Sequence, residues 1–223
     1  MASWMVHLRI ADKLLSSIPG LSATEFIVGN IAPDSGVPNA DWSAFSPSTR
    51  VSHFKTESNT PNPDTFAAKY WTDEKRTRYD NREYSFYLGY LTHLLTDVAW
   101  IEKIYDPAKI KFAELLEAEK NNFIWKLKED WYDLDFKYLR DHPDFRAFGI
   151  YLNAEGFENT YMDEFQPDAF ENRRQYITDF YLSGRENLDR AYPYLTEAEM
   201  DAFTDEAAIS ILDILHKKYA LKL

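Results

Sequence analysis

Along residues 4–18, WMVHLRIADKLLSSI, apolar positions recur at helical spacing. His7, Ile10, Ala11, Leu14 and Ile18 share one face, while Arg9, Asp12 and Lys13 fall elsewhere, so His7 points inward. Pro19 and Gly20 close that helix, and Ser22-Ala-Thr-Glu25 reads as a capping box opening a shorter one through FIVGNIA. From Gly29 to about Asp64 the periodicity fails. Prolines at 33, 38, 47, 61 and 63 are joined there by Gly36 and many Ser, Thr and Asn. A long ordered loop is expected, and loops of that length inside a compact domain are usually functional. From Asp64 onward every segment is helical rather than alternating, over 64–77, 82–105, 107–140, 168–190 and 197–220. Pro107 suits a first helical turn, and Thr196-Glu-Ala-Glu199 is a second capping box. No repeat, low-complexity tract or linker divides the chain. The pattern therefore predicts one all-α domain over 1–223, with about seven to nine helices.

Composition narrows what such a domain does. With 45% apolar residues, including 15 Phe, 15 Tyr and 6 Trp, the chain is too apolar for disorder. No apolar run approaches the ~20 residues of a membrane span, and the start lacks the basic-then-apolar order of a secretory signal. A cytoplasmic protein is the expectation. A net charge of −12 argues against long nucleic acid and anionic membranes as partners, because both are bound by neutralising phosphate with Lys and Arg. Cations are the favoured guests. The absence of cysteine removes thiolate ligands, so a metal site has to use His, Asp, Glu or water.

The segment Tyr84 to Tyr105, YSFYLGYLTHLLTDVAWIEKIY, is apolar nearly all round and belongs to a buried helix. His93 and Asp97 lie four residues apart on one face of it, and Gly89, one turn earlier, leaves room beside them. A carboxylate buried there needs a cation or a set of donors. A lone His-x-x-x-Asp also fits an arginine-paired aspartate beside a core histidine. The other histidines tilt the reading: of the five (7, 53, 93, 142, 216), His7 is on an apolar face and His53 is in the Pro-rich loop with Asp34. Converging on one point, His7, His53, His93, Asp97 and Asp34 would form an N/O site suited to zinc or a similar divalent ion.

These residues carry a resemblance. Phe86-Tyr-Leu-Gly89-x-x-x-His93-x-x-x-Asp97-Val98 resembles the core-helix motif of the zinc-dependent phospholipase C family, whose fold is shared with single-strand-specific nucleases. Ser52-His53-Phe54 is similar to its Ser-His-Phe segment, Trp4-x-x-His7-Leu8 to its first-helix histidine, and Gly29-Asn-Ile-Ala-Pro-Asp34 takes the place of its metal-binding aspartate. The resemblance covers about the first 105 residues. It implies a phospholipase C-like fold, one metal on Asp34, His53, His93 and Asp97, and a second bridged by Asp97 and held by His7. It further implies phosphoester hydrolysis by metal-bound hydroxide, with Asp34 as general base or water-orienting residue. Zinc is the implied ion, one or two per chain, with manganese or iron compatible with the same donors.

The departures are specific. Val98, Ala99, Trp100 and Ile101 follow Asp97 where family members place a third-metal histidine. His142 and His216 have Arg146 and Ala220 four residues on, not glutamate. At most two ions are expected, and a helical domain with a purely structural ion is the alternative. Arg50 and Lys55 flank His53 and are candidate contacts for the phosphate of a small substrate. Trp42, Phe45, Tyr70 and Trp71 border the candidate ligands and belong either to a pocket wall or to the core.

Overall fold

The computed structural model describes residues 1–41, 43–57 and 59–221, so Trp42 lies outside the described residues. The architecture is all-α, as the periodicity predicts. Its helices are α1 (Trp4–Ser17), α2 (Ala23–Ile31), α3 (Thr49–Ser52), α4 (Pro63–Tyr70), α5 (Asp73–Arg78), α6 (Asn81–Trp100), α7 (Asp106–Lys111), α8 (Ala113–Ala118), α9 (Phe123–Asp141), α10 (Arg146–Leu152), α11 (Ala169–Leu182) and α12 (Glu197–Lys217). Seven of these run eight residues or longer, and the rest are short turns between them. Among the described residues no helix is long and apolar enough to cross a membrane.

The short elements arise where local chemistry interrupts a periodic segment. The expected 64–77 helix is cut at Thr72, whose hydroxyl caps α5 by accepting the Lys75 amide at 3.3 Å. The 107–140 segment breaks at Phe112 and again over Glu119–Asn122, where adjacent asparagines stand before α9. The expected 168–190 helix ends at Leu182, because Gly184 follows with a positive φ of 71° that terminates the helical backbone. The α6 helix runs on past Trp100 through a wide π-type turn, Ile101–Tyr105, rather than continuing to 105 as regular helix. Within the Gly29–Asp64 loop a two-residue antiparallel pair forms, Val37 opposite Ser46 and Pro38 opposite Phe45.

The capping boxes divide. Thr196 and Glu199 cap each other as expected, and so do Asp80 and Glu83 at the start of α6. The Ser22–Glu25 box does not form. The Ser22 hydroxyl instead donates to the Glu25 carboxylate, the Ser22 amide donates to Ser85 Oγ at 2.9 Å, and Glu25 also pairs with Arg82. Tertiary partners on α6 thus replace the local cap.

At the centre, α6 packs on α2, and α1 lies against α2, α6, α10 and α12. Surrounded this way, α1 is buried on more sides than its apolar stripe suggests: even Arg9 is buried, donating to Asp201 at 2.6 Å and Thr204 at 3.0 Å. The α2–α6 crossing is a backbone-to-backbone contact. A Cβ on Gly89 would stand 2.2 Å from the Phe26 carbonyl oxygen, and one on Gly29 would stand 2.2 Å from that of Phe86. Opposite the crossing, Trp100 meets Trp131 and Phe203 edge-on, each at 5.0 Å, which seats α9 and α12 against the end of α6. Residues ahead of α1 are anchored to the C-terminal half, because buried Asp135 on α9 accepts from the Ser3 and Tyr181 hydroxyls, both at 2.8 Å.

Two predictions follow from this packing. Gly89→Ala should cost about 3 kcal/mol or more, since the clash is with backbone that cannot rotate away. Gly149→Ala in α10, whose Cβ would meet nothing within 4 Å, should be neutral or stabilising by up to ~1 kcal/mol, and urea melts of the two variants check the contrast. The second concerns Asp135, which burial pushes up to about 7 despite its two hydroxyl donors. Its native state thus holds a proton that the unfolded chain releases near pH 4. Stability from this group is full in acid and is lost as pH rises through 7, on the order of a few kcal/mol. Asp135→Asn should flatten that decline relative to wild type in thermal melts between pH 5 and 8.

Candidate metal centre

Five side chains from four places in the chain meet where α1, α2 and α6 come together. His7 comes from α1, His93 and Asp97 from α6, His53 from the residue that closes α3, and Asp34 from the single 3₁₀ turn, Ala32–Asp34, that ends α2. His7, His53, His93 and Asp97 are fully buried, and only Asp34 reaches solvent, its side chain being 13% exposed. The Gly89–Gly29 crossing is what lets α2 deliver both Asp34 and the Asn30 carbonyl beside the α6 residues.

Hydrogen bonds fix the rings. His93 Nδ1 lies 2.7 Å from the Asn30 carbonyl oxygen, which can only accept, so Nδ1 carries the proton and the Nε2 lone pair faces the cluster. His53 is held from behind by the Ser52 hydroxyl, 2.9 Å from its Nδ1, and the Tyr90 hydroxyl donates to the Ser52 carbonyl. The His7 and His93 rings stack at 3.8 Å with planes 2° apart. Trp4 Nε1 donates to Asp34 Oδ2 at 3.0 Å, and the Ala2 amide donates to Asp97 Oδ1 at 2.8 Å.

Four of the donor-to-donor separations match those around a zinc ion. His53 Nε2 stands 3.4 Å from Asp34 Oδ1, 3.4 Å from Asp97 Oδ2 and 3.2 Å from His93 Nε2, and His93 Nε2 stands 3.5 Å from Asp97 Oδ2. A tetrahedron with zinc bonds of 2.0–2.1 Å has an edge of about 3.3–3.4 Å. On the other side of the same carboxylate, Asp97 Oδ1 is 3.4 Å from His7 Nε2. Two groups of three ligand atoms, His7–His93–Asp97 and Asp34–His53–His93, each gather within 4.8 Å. Both ring nitrogens of His7 and Oδ2 of Asp97 are buried with no hydrogen-bond partner in the protein. Such atoms are costly unless something satisfies them, and a divalent ion does so for nitrogen and oxygen donors alike.

The shifts of His7 and of the two aspartates suit ligation. Burial and the neighbouring His93 push His7 down to about 4, so its imidazole is neutral near pH 7. Burial raises Asp97, but His53, His7 and His93 outweigh it and hold the carboxyl well below its usual range. Asp34 is likewise depressed, by His53 and His93 against the effect of burial. Burial lowers His53 and the two aspartates more than reverse this, so it is raised.

Arg50 and Lys55 occupy different positions relative to this cluster. Lys55 is half-buried and lies in the field of Asp97 and Asp34, whereas Arg50 is exposed on α3. Tyr70 and Trp71 belong to the core: the Tyr70 hydroxyl donates to Glu164 at 2.7 Å and Trp71 Nε1 to the Tyr219 carbonyl at 2.9 Å. His142 and His216 are elsewhere, their Nδ1 atoms at 2.9 Å from the Tyr138 carbonyl and 3.0 Å from the Leu221 carbonyl. Sequence reasoning missed Trp4 as a partner of Asp34 and Asn30 as the orienter of His93. Their signals were local only in hindsight, one in the Trp4-x-x-His7 spacing and the other a main-chain atom with no side-chain signature.

The model of the zinc-dependent phospholipase C family matches residues 6–100, a segment that contains all five of these side chains. The resemblance read from the sequence is thus shown over this segment. No curated protein and no solved structure matches the chain. Family match and His/Asp cluster together support a metal-dependent hydrolase of the phospholipase kind.

Because His93 belongs to both ligand groups and His7 to one, the two should differ on truncation. His93→Ala should strip the protein of metal, while His7→Ala should retain at least half of the wild-type content, as measured by plasma mass spectrometry on untagged protein.

Proposed function

We propose that this protein is a zinc-dependent phosphoester hydrolase whose site is formed by His7, Asp34, His53, His93 and Asp97. The observation that carries the reading is that His53 Nε2 lies 3.2–3.4 Å from Asp34 Oδ1, His93 Nε2 and Asp97 Oδ2, with His93 Nε2 3.5 Å from Asp97 Oδ2. Asp97 faces His53 and His93 with one oxygen and His7 with the other, an arrangement suited to bridging one or two ions. Manganese or iron fit the same donors. When bound, such an ion lowers the pKa of water toward neutrality and offsets charge on a phosphoryl oxygen.

The chain's own residues supply the rest. Asp34 is the one cluster member open to solvent, and its depressed pKa keeps it ionised, so it acts as an acceptor that orients the attacking water. The Trp4 indole holds Asp34 Oδ2 and thereby turns Oδ1 toward His53. Lys55 contacts the substrate phosphate, with Arg50 behind it on α3. The acidic surface excludes long polyanions, which leaves a small phosphoester as substrate.

Asp97→Asn should reduce hydrolysis of bis-p-nitrophenyl phosphate by the zinc-loaded protein about a thousandfold, with circular dichroism unchanged. Undiminished turnover in that variant would sink the reading. A second reading is a structural ion, which four protein donors would hold by closing a tetrahedral shell as in structural zinc sites. It expects chelation to lower the melting temperature by ten degrees or so while a broad phosphoester panel shows no turnover at any metal loading.

A further inference from the structure

A buried cation of the C-terminal half reaches the loop that carries Asp34. Three arginines are buried among the described residues, and two of them are paired, Arg9 with Asp201 and Arg174 with Glu171. The third, Arg173 on α11, is 7% exposed and has no carboxylate at ion-pair distance among the described residues. A guanidinium buried that way is costly, so what its donors and its charge engage has to offset the loss of water. Its Nη2 donates to the main-chain carbonyl of Gly36 at 2.7 Å, two residues past Asp34. Its Cζ lies 5.7 Å from the Trp4 ring and 5.5 Å from that of Tyr176, within the range of a cation–π contact. Trp4 itself donates to Asp34 Oδ2 at 3.0 Å. Arg173 thus touches both supports of Asp34, the indole that holds its side chain and the main chain that leaves its turn. Tyr176, Phe180 and Tyr181 also meet the Trp4 ring edge-on, at 5.9, 5.9 and 6.4 Å, and share one face of α11 with Arg173. Rings fill space around the indole, whereas Arg173 adds a charge-assisted hydrogen bond to the Asp34 loop.

We infer that Arg173 is a positioning residue for the candidate metal centre, a brace from α11 that sets the orientation of Asp34 through Trp4 and Gly36. Asp34 needs one, because it sits on a 3₁₀ turn of three residues and its side chain is 13% exposed, while the other four donors are fully buried. Without the brace the indole and the main chain after the turn are free to shift, and Asp34 Oδ1 leaves its place 3.4 Å from His53 Nε2. Because α11 lies outside residues 6–100, the C-terminal half thereby gains a part in a site whose clustered side chains all come from the N-terminal half. The inference rests on the reading of Asp34 as a metal ligand, but it is measured by zinc affinity and needs no turnover.

The test is a double-mutant cycle on zinc affinity, measured by competition with a chromophoric chelator, beside bis-p-nitrophenyl phosphate kinetics. Arg173→Met should weaken zinc binding about tenfold and lower kcat about tenfold, with KM within about threefold of wild type. On Asp34→Ala, which keeps His53, His93 and Asp97 as donors, the same change should cost less than about twofold in zinc affinity. Arg173→Lys, which keeps the charge and loses the guanidinium fork, is the milder probe if Arg173→Met does not fold, and should cost about threefold on wild type and nothing on Asp34→Ala. A residue that merely packs would show the same loss on both backgrounds. Equal losses on the two backgrounds, undiminished zinc affinity in Arg173→Met, or no zinc binding by wild type would overturn the inference even in an active enzyme. Losses that depend on Asp34, in a protein with no phosphoesterase activity, would uphold the brace and remove the hydrolase reading instead.

Discussion

Everything at the candidate metal centre depends on how closely two helices approach. With glycine at 29 and at 89, α2 and α6 touch through main-chain atoms, and a methyl group on either would stand 2.2 Å from a carbonyl oxygen. Side-chain-separated helices lie ~8–10 Å apart, a distance at which the Asn30 carbonyl could not reach His93. The close crossing sets the Asn30–His93 bond at 2.7 Å, and the turn that follows α2 then drops Asp34 beside His53. The second consequence is burial. Four of the five donors have no solvent contact, which makes the cluster expensive as bare protein and selective for a compact cation.

The charge arrangement is balanced locally, not globally. Three imidazoles and two carboxylates share one small volume, where His7 and the two aspartates are shifted down and His53 is shifted up by Asp34 and Asp97. Of the cations around the cluster, Lys55 lies in the field of Asp97 and Asp34 from the loop after α3, and Arg173 of α11 lies over the Trp4 ring that holds Asp34. The N-terminal segment supplies the five clustered side chains, and Tyr132 of α9 and Phe180 of α11 pack in series against Trp4 of α1.

Much of this was legible in the sequence for definite reasons. A buried helix with His93 and Asp97 one turn apart announces itself because carboxylates rarely enter apolar helices unpartnered. Helical periodicity gave the class of the fold, and Pro107 and Thr196 marked true starts. What could not be read were effects that need a neighbour in space. Ser22 looked like a cap but found Ser85 and Glu25; Arg9 looked surface-bound but is enclosed by α12. Gly184 and Asn121–Asn122 are local stop signals that periodicity alone overran.

The bond from His93 to Asn30 has a main-chain carbonyl as its acceptor, so the tautomer of His93 depends on where the α2 backbone lies and not on the chemistry of a side chain at position 30. The vulnerability is displaced to the two glycines, where any side chain would push the carbonyl out of range. The orientation of the histidine is therefore set by packing, and the buried Asn30 side chain adds to it by donating to the Gly89 carbonyl at 3.4 Å.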